Sequence, residues 1–364
     1  ILKAKGEKSA EMYFSNAIMF ALFISVVFMI SGWIFPKQLI RALGGDEIIV
    51  KVGTPYTRIF MLFAPFFMWN HICNAFVRND GAPSVAMTAT VVSSLFNIVM
   101  DYVLMFPLGL GMVGAALATA ISPIIGILIC CVHFFSKKST ICLHWGVPSV
   151  KKMLQSCQLG ISAFVGEISS GVTTIIFNML ILKLEGNVGV AAYGVVANIS
   201  IVVTALYTGL AQGMQPLLST YYGKNNPLQI RKIMSYGQIA MIALSAGMYG
   251  VLFVFAPQVT AIFNSEGNDV LQKIAEIGLK LYFTSNIFLG FNTVAATFFT
   301  SVEKALPAHI LSLLRGFILI IPLAFIMSVL WGMNGIWLCF PVTEAITAVL
   351  GFFIYRKILK DFQV

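Results

Sequence analysis

Apolar runs of about twenty residues or more, separated by short polar segments, recur ten times along this chain of 364 residues. They fall at about 16–35, 56–78, 84–106, 111–135, 154–182, 188–217, 235–256, 275–300, 307–330 and 333–355. A helix needs roughly 20 apolar residues to cross the hydrocarbon of a bilayer, so each run predicts a membrane-spanning helix. None alternates between apolar and polar in the manner of a membrane barrel strand, and the expected fold is an all-α integral membrane protein.

The polar punctuation between the runs repeats. Thr54-Pro55-Tyr56-Thr57-Arg58-Ile59-Phe60 returns in outline at Glu276-Ile277-Gly278-Leu279-Lys280-Leu281-Tyr282, an offset of 222 residues, and Asn70 falls on Asn292 at the same offset. Pro36 falls on Pro257, and Gly111-Met112-Val113-Gly114 on Gly332-Met333-Asn334-Gly335, at an offset of 221. Four matches in order at nearly constant spacing point to two duplicated helical bundles. The expected division is a first lobe over 1–135, a linker over 136–153 and a second lobe over 154–364.

On this division the second lobe holds six runs and the first only four. The opening segment, Leu2 to Lys8, aligns with Gly223-Lys224-Asn225-Asn226-Pro227, which follows the sixth run. The sequence therefore reads as a twelve-span protein lacking its first two helices, with a natural ten-span protein as the alternative.

Composition agrees with the runs: 59% of residues are hydrophobic, 10% are charged, and the mean hydropathy is +0.90. A soluble domain carries about 25% charge. The net charge of +9 would suggest a nucleic-acid partner in a soluble protein, but its placement argues for a membrane topology. Fifteen of the 23 Lys and Arg residues fall in one set of alternate loops and the two ends, including Arg78, Lys137, Lys138, Lys151, Lys152, Lys224, Lys304 and Arg356. The positive-inside bias makes that set cytoplasmic, and both ends of the chain with it.

Several signals are declined. The six cysteines read as small apolar residues, with Cys142 in a cytoplasmic loop. His71, His133, His144 and His309 have no metal-ligand spacing. Gly109-Leu110-Gly111-Met112-Val113-Gly114 spells the dinucleotide fingerprint but joins two apolar runs, so it reads as a tight turn. No GxxxxGK[ST] loop is present to bind ATP.

The stretch Asn74-Ala75-Phe76-Val77-Arg78-Asn79-Asp80-Gly81-Ala82-Pro83 resembles the loop after the fourth helix of the multidrug and toxic compound extrusion (MATE) family. Asn97-Ile98-Val99-Met100-Asp101 with Gly114-Ala115-Ala116-Leu117-Ala118-Thr119 is similar to its fifth and sixth helices. Gly209 to Leu217, Leu313-Leu314-Arg315 and Ile321-Pro322-Leu323 carry the same pattern, which covers essentially the whole chain and suggests the prokaryotic branch. The resemblance implies two six-helix lobes around a central cavity. It also implies export driven by inward flow of H+ or Na+. The preferred reading is efflux of drugs or other small organic cations, with no other cofactor, by a monomer in the plasma (inner) membrane.

Asp101 is the sharpest candidate. A carboxylate inside a span is costly unless partnered or facing water, so function is the default reading. Asn97 lies four residues earlier on the same helical face, and Thr119 returns to a similar depth on the next span. A carboxylate, an amide oxygen and a hydroxyl are hard ligands for a small cation such as Na+, and the carboxylate can instead take a proton. By resemblance these three match the family's first-lobe cation site; the alternative is a structural knot. Glu167, Glu344 and Arg315 are candidates for a second-lobe proton or substrate site, unless Arg315 serves only to neutralise a glutamate. Asn70, Asn74, Gln212, Gln215 and Asn292 are candidates for cavity lining, although intramembrane amides more often bridge helices.

The rival to efflux is a lipid-linked glycan flippase, which would favour a cavity rich in Arg and Lys, and only Arg315 is deep here. A membrane-embedded lipid-modifying enzyme would need clustered Asp or His, and the fourteen acidic residues are spread out.

Overall fold

The computed structural model of the chain describes residues 1–2, 4–5, 11–42, 47–137, 139–141, 149–265 and 267–360. Lys3, Lys8, Lys138, Cys142 and His144 lie outside them. The described residues fold as helices with no strand, in two compact units, one built essentially from 7–155 and the other from 156–364.

The first unit contains α1 (Glu11–Ile34), α2 (Pro36–Ala42), α3 (Glu47–Leu62), α4 (Ala64–Asn79), α5 (Pro83–Met105) and α6 (Gly111–Phe134). Next comes α7 (Val150–Gly223), which begins in the first unit and runs mostly through the second. The second continues with α8 (Pro227–Val254), α9 (Ala256–Phe263), α10 (Asp269–Tyr282), α11 (Asn286–Ser301), α12 (Ala305–Leu313) and α13 (Ile320–Lys360). Large apolar side chains such as Phe23 (68% exposed) and Val329 (85%) lie on the surface, an arrangement that suits hydrocarbon rather than water.

Among the described residues six helical stretches are long and apolar enough to cross a membrane, and the pair α3–α4, bent by 49°, makes a seventh. The difference from ten runs has a physical reason: the run at 275–300 is divided by a 3-10 turn at Phe283–Ser285, and two other pairs of runs join without an intervening loop. α7 is 74 residues long, and Gly186 breaks it with φ 64°. The rings of Phe177 and Tyr193 lie 5.6 Å apart. Sixteen residues of straight helix would separate them by about 24 Å, so the chain reverses at Gly186. In α13 Gly332 has φ 56°, and the Cys339 thiol lies 3.5 Å from the Ile320 carbonyl, which again requires a hairpin. Both breaks use a left-handed conformation that glycine adopts without a Cβ penalty.

The two units repeat their local backbone at the offset read from the sequence. After α4, Asp80 N–H donates to Phe76 O (2.8 Å), Gly81 N–H to Arg78 O (3.4 Å) and Ala82 N–H to Val77 O (3.1 Å). After α11, Val302, Glu303 and Lys304 donate to Phe298, Thr300 and Phe299 at 3.1, 3.3 and 2.9 Å, each atom pair 222 residues later. Gly81 (φ 88°) is matched by Glu303 (φ 58°), and Gly111 (φ 52°) by Gly332. The α3–α4 bend before Pro65 corresponds to the 3-10 turn Phe283–Ser285 between α10 and α11. In that turn the hydroxyls of Thr284 and Ser285 each donate to a carbonyl one turn back, at 2.7 Å, which satisfies groups the break would leave bare.

Small residues let the helices after these hairpins pack closely. α6 buries Gly114, Ala116, Ala118, Ala120 and Gly126 and makes its most extensive contacts with α5. A Cβ on Gly114 would come within 2.7 Å of the Leu104 carbonyl, and one on Gly335 would run into the carbonyl of Met327. The second unit closes on a core that includes Phe177, Phe298, Phe299 and Trp337.

Gly335→Ala should therefore destabilise the chain by about 1–3 kcal/mol, the usual range for overpacking. Gly250→Ala, which meets nothing within 4 Å, should leave stability nearly unchanged. Thermal unfolding in detergent measures both, and equal midpoints would contradict the close α13 hairpin.

Candidate functional site

The first-unit candidates sit on the α5–α6 hairpin. Asn97 lies eight residues before the end of α5 and Thr119 eight after the start of α6, so both stand about 12 Å from the turn. The structure brings them together: Asn97 Nδ2 donates to Thr119 Oγ1 at 3.4 Å. Asp101 is half-buried one helical turn nearer the hairpin. Its Oδ1 is inaccessible, and among the described residues no group donates to it. An unsatisfied carboxylate oxygen can accept a hydrogen bond or act as a hard ligand to a small cation.

A second knot holds this hairpin to α4. Asn74 Nδ2 donates to the Asn70 carbonyl and to Asn70 Oδ1, both at 2.9 Å, and the Thr90 hydroxyl donates to Asn74 Oδ1 at 3.4 Å. Asn70 Oδ1 presses against Gly126, where a Cβ would displace it. These amides bridge α4 to α5 and α6, the commoner use of such groups in a bilayer.

In the second unit Glu344 is 1% exposed and both its oxygens are engaged. Arg315 Nε forms an ion pair with Oε1 at 3.1 Å, and Asn292 Nδ2 donates to Oε2 at 2.7 Å and to the Glu344 carbonyl at 3.0 Å. Asn292, itself 1% exposed, is a buried brace beneath the pair rather than part of an open wall. Arg315 lies in a π-helical turn, Leu314–Ile318, closed by Leu319 N–H donating to Leu314 O at 2.9 Å. Such one-residue insertions re-aim side chains and recur at functional positions. Glu167, expected to join this pair, is exposed on α7 with no ion pair among the described residues. Gln212 is exposed and Gln215 half-buried.

One cluster escapes a reading of the sequence. His133 Nε2 lies 2.8 Å from Asp80 Oδ2, the Thr140 N–H donates to the same oxygen at 3.0 Å, and the Thr140 hydroxyl bonds Oδ1. The Asp80 and His133 side chains are 2% and 7% exposed. The cluster ties the loop after α4 to the end of α6 across 53 residues. Asp80 lies in the quoted loop motif, but His133 looks like an isolated residue in an apolar run until the fold joins them. Asn286 is likewise buried, at the α10–α11 break.

The sequence model of the MatE family matches residues 2–103 and 163–326. The multidrug export protein MepA of Staphylococcus saprophyticus is 27% identical over 363 residues, covering 99% of this chain and 79% of the relative. MepA of Staphylococcus aureus strain NCTC 8325 is 26% identical over 367 residues, with the same coverage of 99% and 79%. Among solved structures, the outward-facing conformation of a multidrug resistance MATE family transporter of the MOP superfamily aligns with TM-score 0.91 at 21% identity, over 99% of this chain and 81% of that one. A MOP superfamily transporter from Pyrococcus furiosus, described as having a binding pocket of reverse polarity, aligns with TM-score 0.90 at 22% identity, over 99% and 81%. At these identities the structural likeness speaks for the fold alone.

Removing Arg315 strands a buried carboxylate, so Arg315→Gln should cost about 3–5 kcal/mol, whereas Arg315→Gln with Glu344→Gln should recover most of it. Thermal unfolding of the two variants tests this. A double variant as unstable as the single one would mean that charge neutralisation is not what Arg315 supplies.

Proposed function

The chain belongs to the MatE family, and on that premise we propose that it exports organic compounds, cationic ones among them, by secondary active transport coupled to inward flow of H+ or Na+ at Asp101. The observation that carries the coupling assignment is the inaccessible, unpaired Oδ1 of Asp101, one helical turn along α5 from the Asn97–Thr119 hydrogen bond. A carboxylate so placed is stabilised by a proton or by a small hard cation, and it is destabilised when either leaves. Asn97 Oδ1 and the Thr119 hydroxyl oxygen offer the further hard ligands that Na+ requires. Occupancy of Asp101 then biases the conformational equilibrium on which alternating access depends.

The multidrug export names of the MepA relatives support the cargo class. In the second unit Glu344 is neutralised by Arg315, which leaves the exposed Glu167 as the carboxylate able to meet a cationic cargo or a proton. The flippase reading would require a surplus of deep basic groups, and the deep one here, Arg315, stands beside the carboxylate of Glu344 and gives no such surplus. The charge bias of the loops supports a cytoplasmic C-terminus, and we read the chain as a monomer that crosses the plasma membrane several times.

Vesicles loaded with a cationic dye, under separately imposed pH and Na+ gradients, identify the coupling ion. Asp101→Asn keeps the side-chain shape and removes the titratable charge. It should reduce gradient-driven export at least about tenfold while expression stays within about twofold. Undiminished export by the variant would exclude Asp101 as the coupling group.

A further inference from the structure

The duplicated scaffold closes without a charge pair at the position of Arg315 and Glu344. At the repeat offset of 221–222 the first unit has Ser93 or Ser94 in place of Arg315, and Ser122 or Pro123 in place of Glu344. Asn70, by contrast, has its counterpart in Asn292. The shared fold therefore requires the amide but not the charges, and a use peculiar to the second unit is indicated.

Geometry narrows that use. Arg315 Nε stands 3.1 Å from Glu344 Oε1 in an ion pair, while its side chain remains 28% exposed. Among the described residues its two Nη groups have no hydrogen-bond or ion-pair partner. An arginine in a span ordinarily snorkels toward the interface. Arg315 cannot, because the anchor that holds it is 1% exposed in the core. A guanidinium edge fixed about 12 Å into the span, eight residues after Pro307, cannot face hydrocarbon and must face water or cargo. The π-turn keeps it there, and Gly316 brings that turn against α7, where a Cβ would lie 2.5 Å from Ser169 Cβ. The same stretch of α7 carries Glu167 two residues before Ser169.

We propose that Arg315 is a specificity-determining residue whose Nη edge binds a carboxylate on the cargo, so that the chain exports zwitterionic amphiphiles as well as simple cations. A planar fork whose Nε side lies against Glu344 still offers paired Nη–H donors, which suit a carboxylate better than a lysine ammonium would. Glu344 and Asn292 are positioning residues: they hold the fork and temper its charge, so a neutral or cationic cargo is not repelled. The proposal rests on the reading of the chain as an exporter.

The test uses the full chain in phosphatidylcholine vesicles and a matched pair of xanthylium dyes, one with a free benzoate and the other its methyl ester. The wild type should export both. The double variant Arg315→Gln/Glu344→Gln, which leaves no buried charge unpaired, should lower the acid-to-ester export ratio about tenfold, through loss of the acid alone. Glu344→Gln by itself frees the full charge of Arg315 and should raise the ratio, a change that a purely structural role would not produce. Adding phosphatidylglycerol should leave the ratio within about twofold. A larger fall in the acid-to-ester ratio on that addition would reassign the site to an anionic lipid headgroup and overturn the cargo proposal. An unchanged ratio in the double variant, or a wild type that exports the ester and not the acid, would also overturn it. Failure of the wild type to export either dye would instead overturn the exporter reading beneath it.

Discussion

A bilayer core offers no hydrogen-bond partners, and that constraint explains the backbone of this chain more completely than any attractive force does. Each peptide group inside the hydrocarbon must be satisfied within its own helix, and interruptions persist only where other groups supply the missing partners. The breaks here obey the rule. Gly186 and Gly332 reverse the chain in a single residue, so that two spans join without an intervening loop. The Phe283–Ser285 turn is stitched by its own hydroxyls. Where two helices emerge from one reversal they must pass close together, and glycines such as Gly114 and Gly335 admit the approach.

The same constraint gives meaning to the polar side chains. An amide that bridges helices, such as Asn70 or Asn292, is consistent with packing alone. A carboxylate is not, and the two units treat theirs differently. In the second unit Glu344 is fully engaged by Arg315 and Asn292, and its charge is balanced on the spot. In the first unit Asp101 keeps an unpaired oxygen beside two neutral oxygen ligands. On this proposal a duplicated scaffold has diverged into a half that exchanges a cation and a half that holds a charge-balanced guanidinium edge toward the cargo.

Much of the fold was legible because hydrophobic run length and loop punctuation are local properties. The repeat offset of 222 is written in Asn70 and Asn292 and returns in hydrogen bonds after α4 and α11. The continuous helices were not legible, since glycine in an apolar run signals neither a hairpin nor a kink until side chains such as Phe177 and Tyr193 meet. The Asn97–Thr119 contact could be anticipated because both residues are counted from one turn. The Arg315–Glu344 pairing was only a candidate among three charges, and the π-turn that sets its phase has no sequence mark. Asp80 and His133 were hidden for the plainest reason: their partnership spans 53 residues and depends on how α4 and α6 pack.

The central claim is that Asp101 changes its protonation or cation occupancy as the chain works. Infrared difference spectroscopy of the protein in vesicles, on a jump in pH or in Na+ concentration, observes carboxyl groups directly. A carboxyl or carboxylate band should appear over the cation range that drives export and vanish in Asp101→Asn. Identical difference spectra for the wild type and the variant would contradict it.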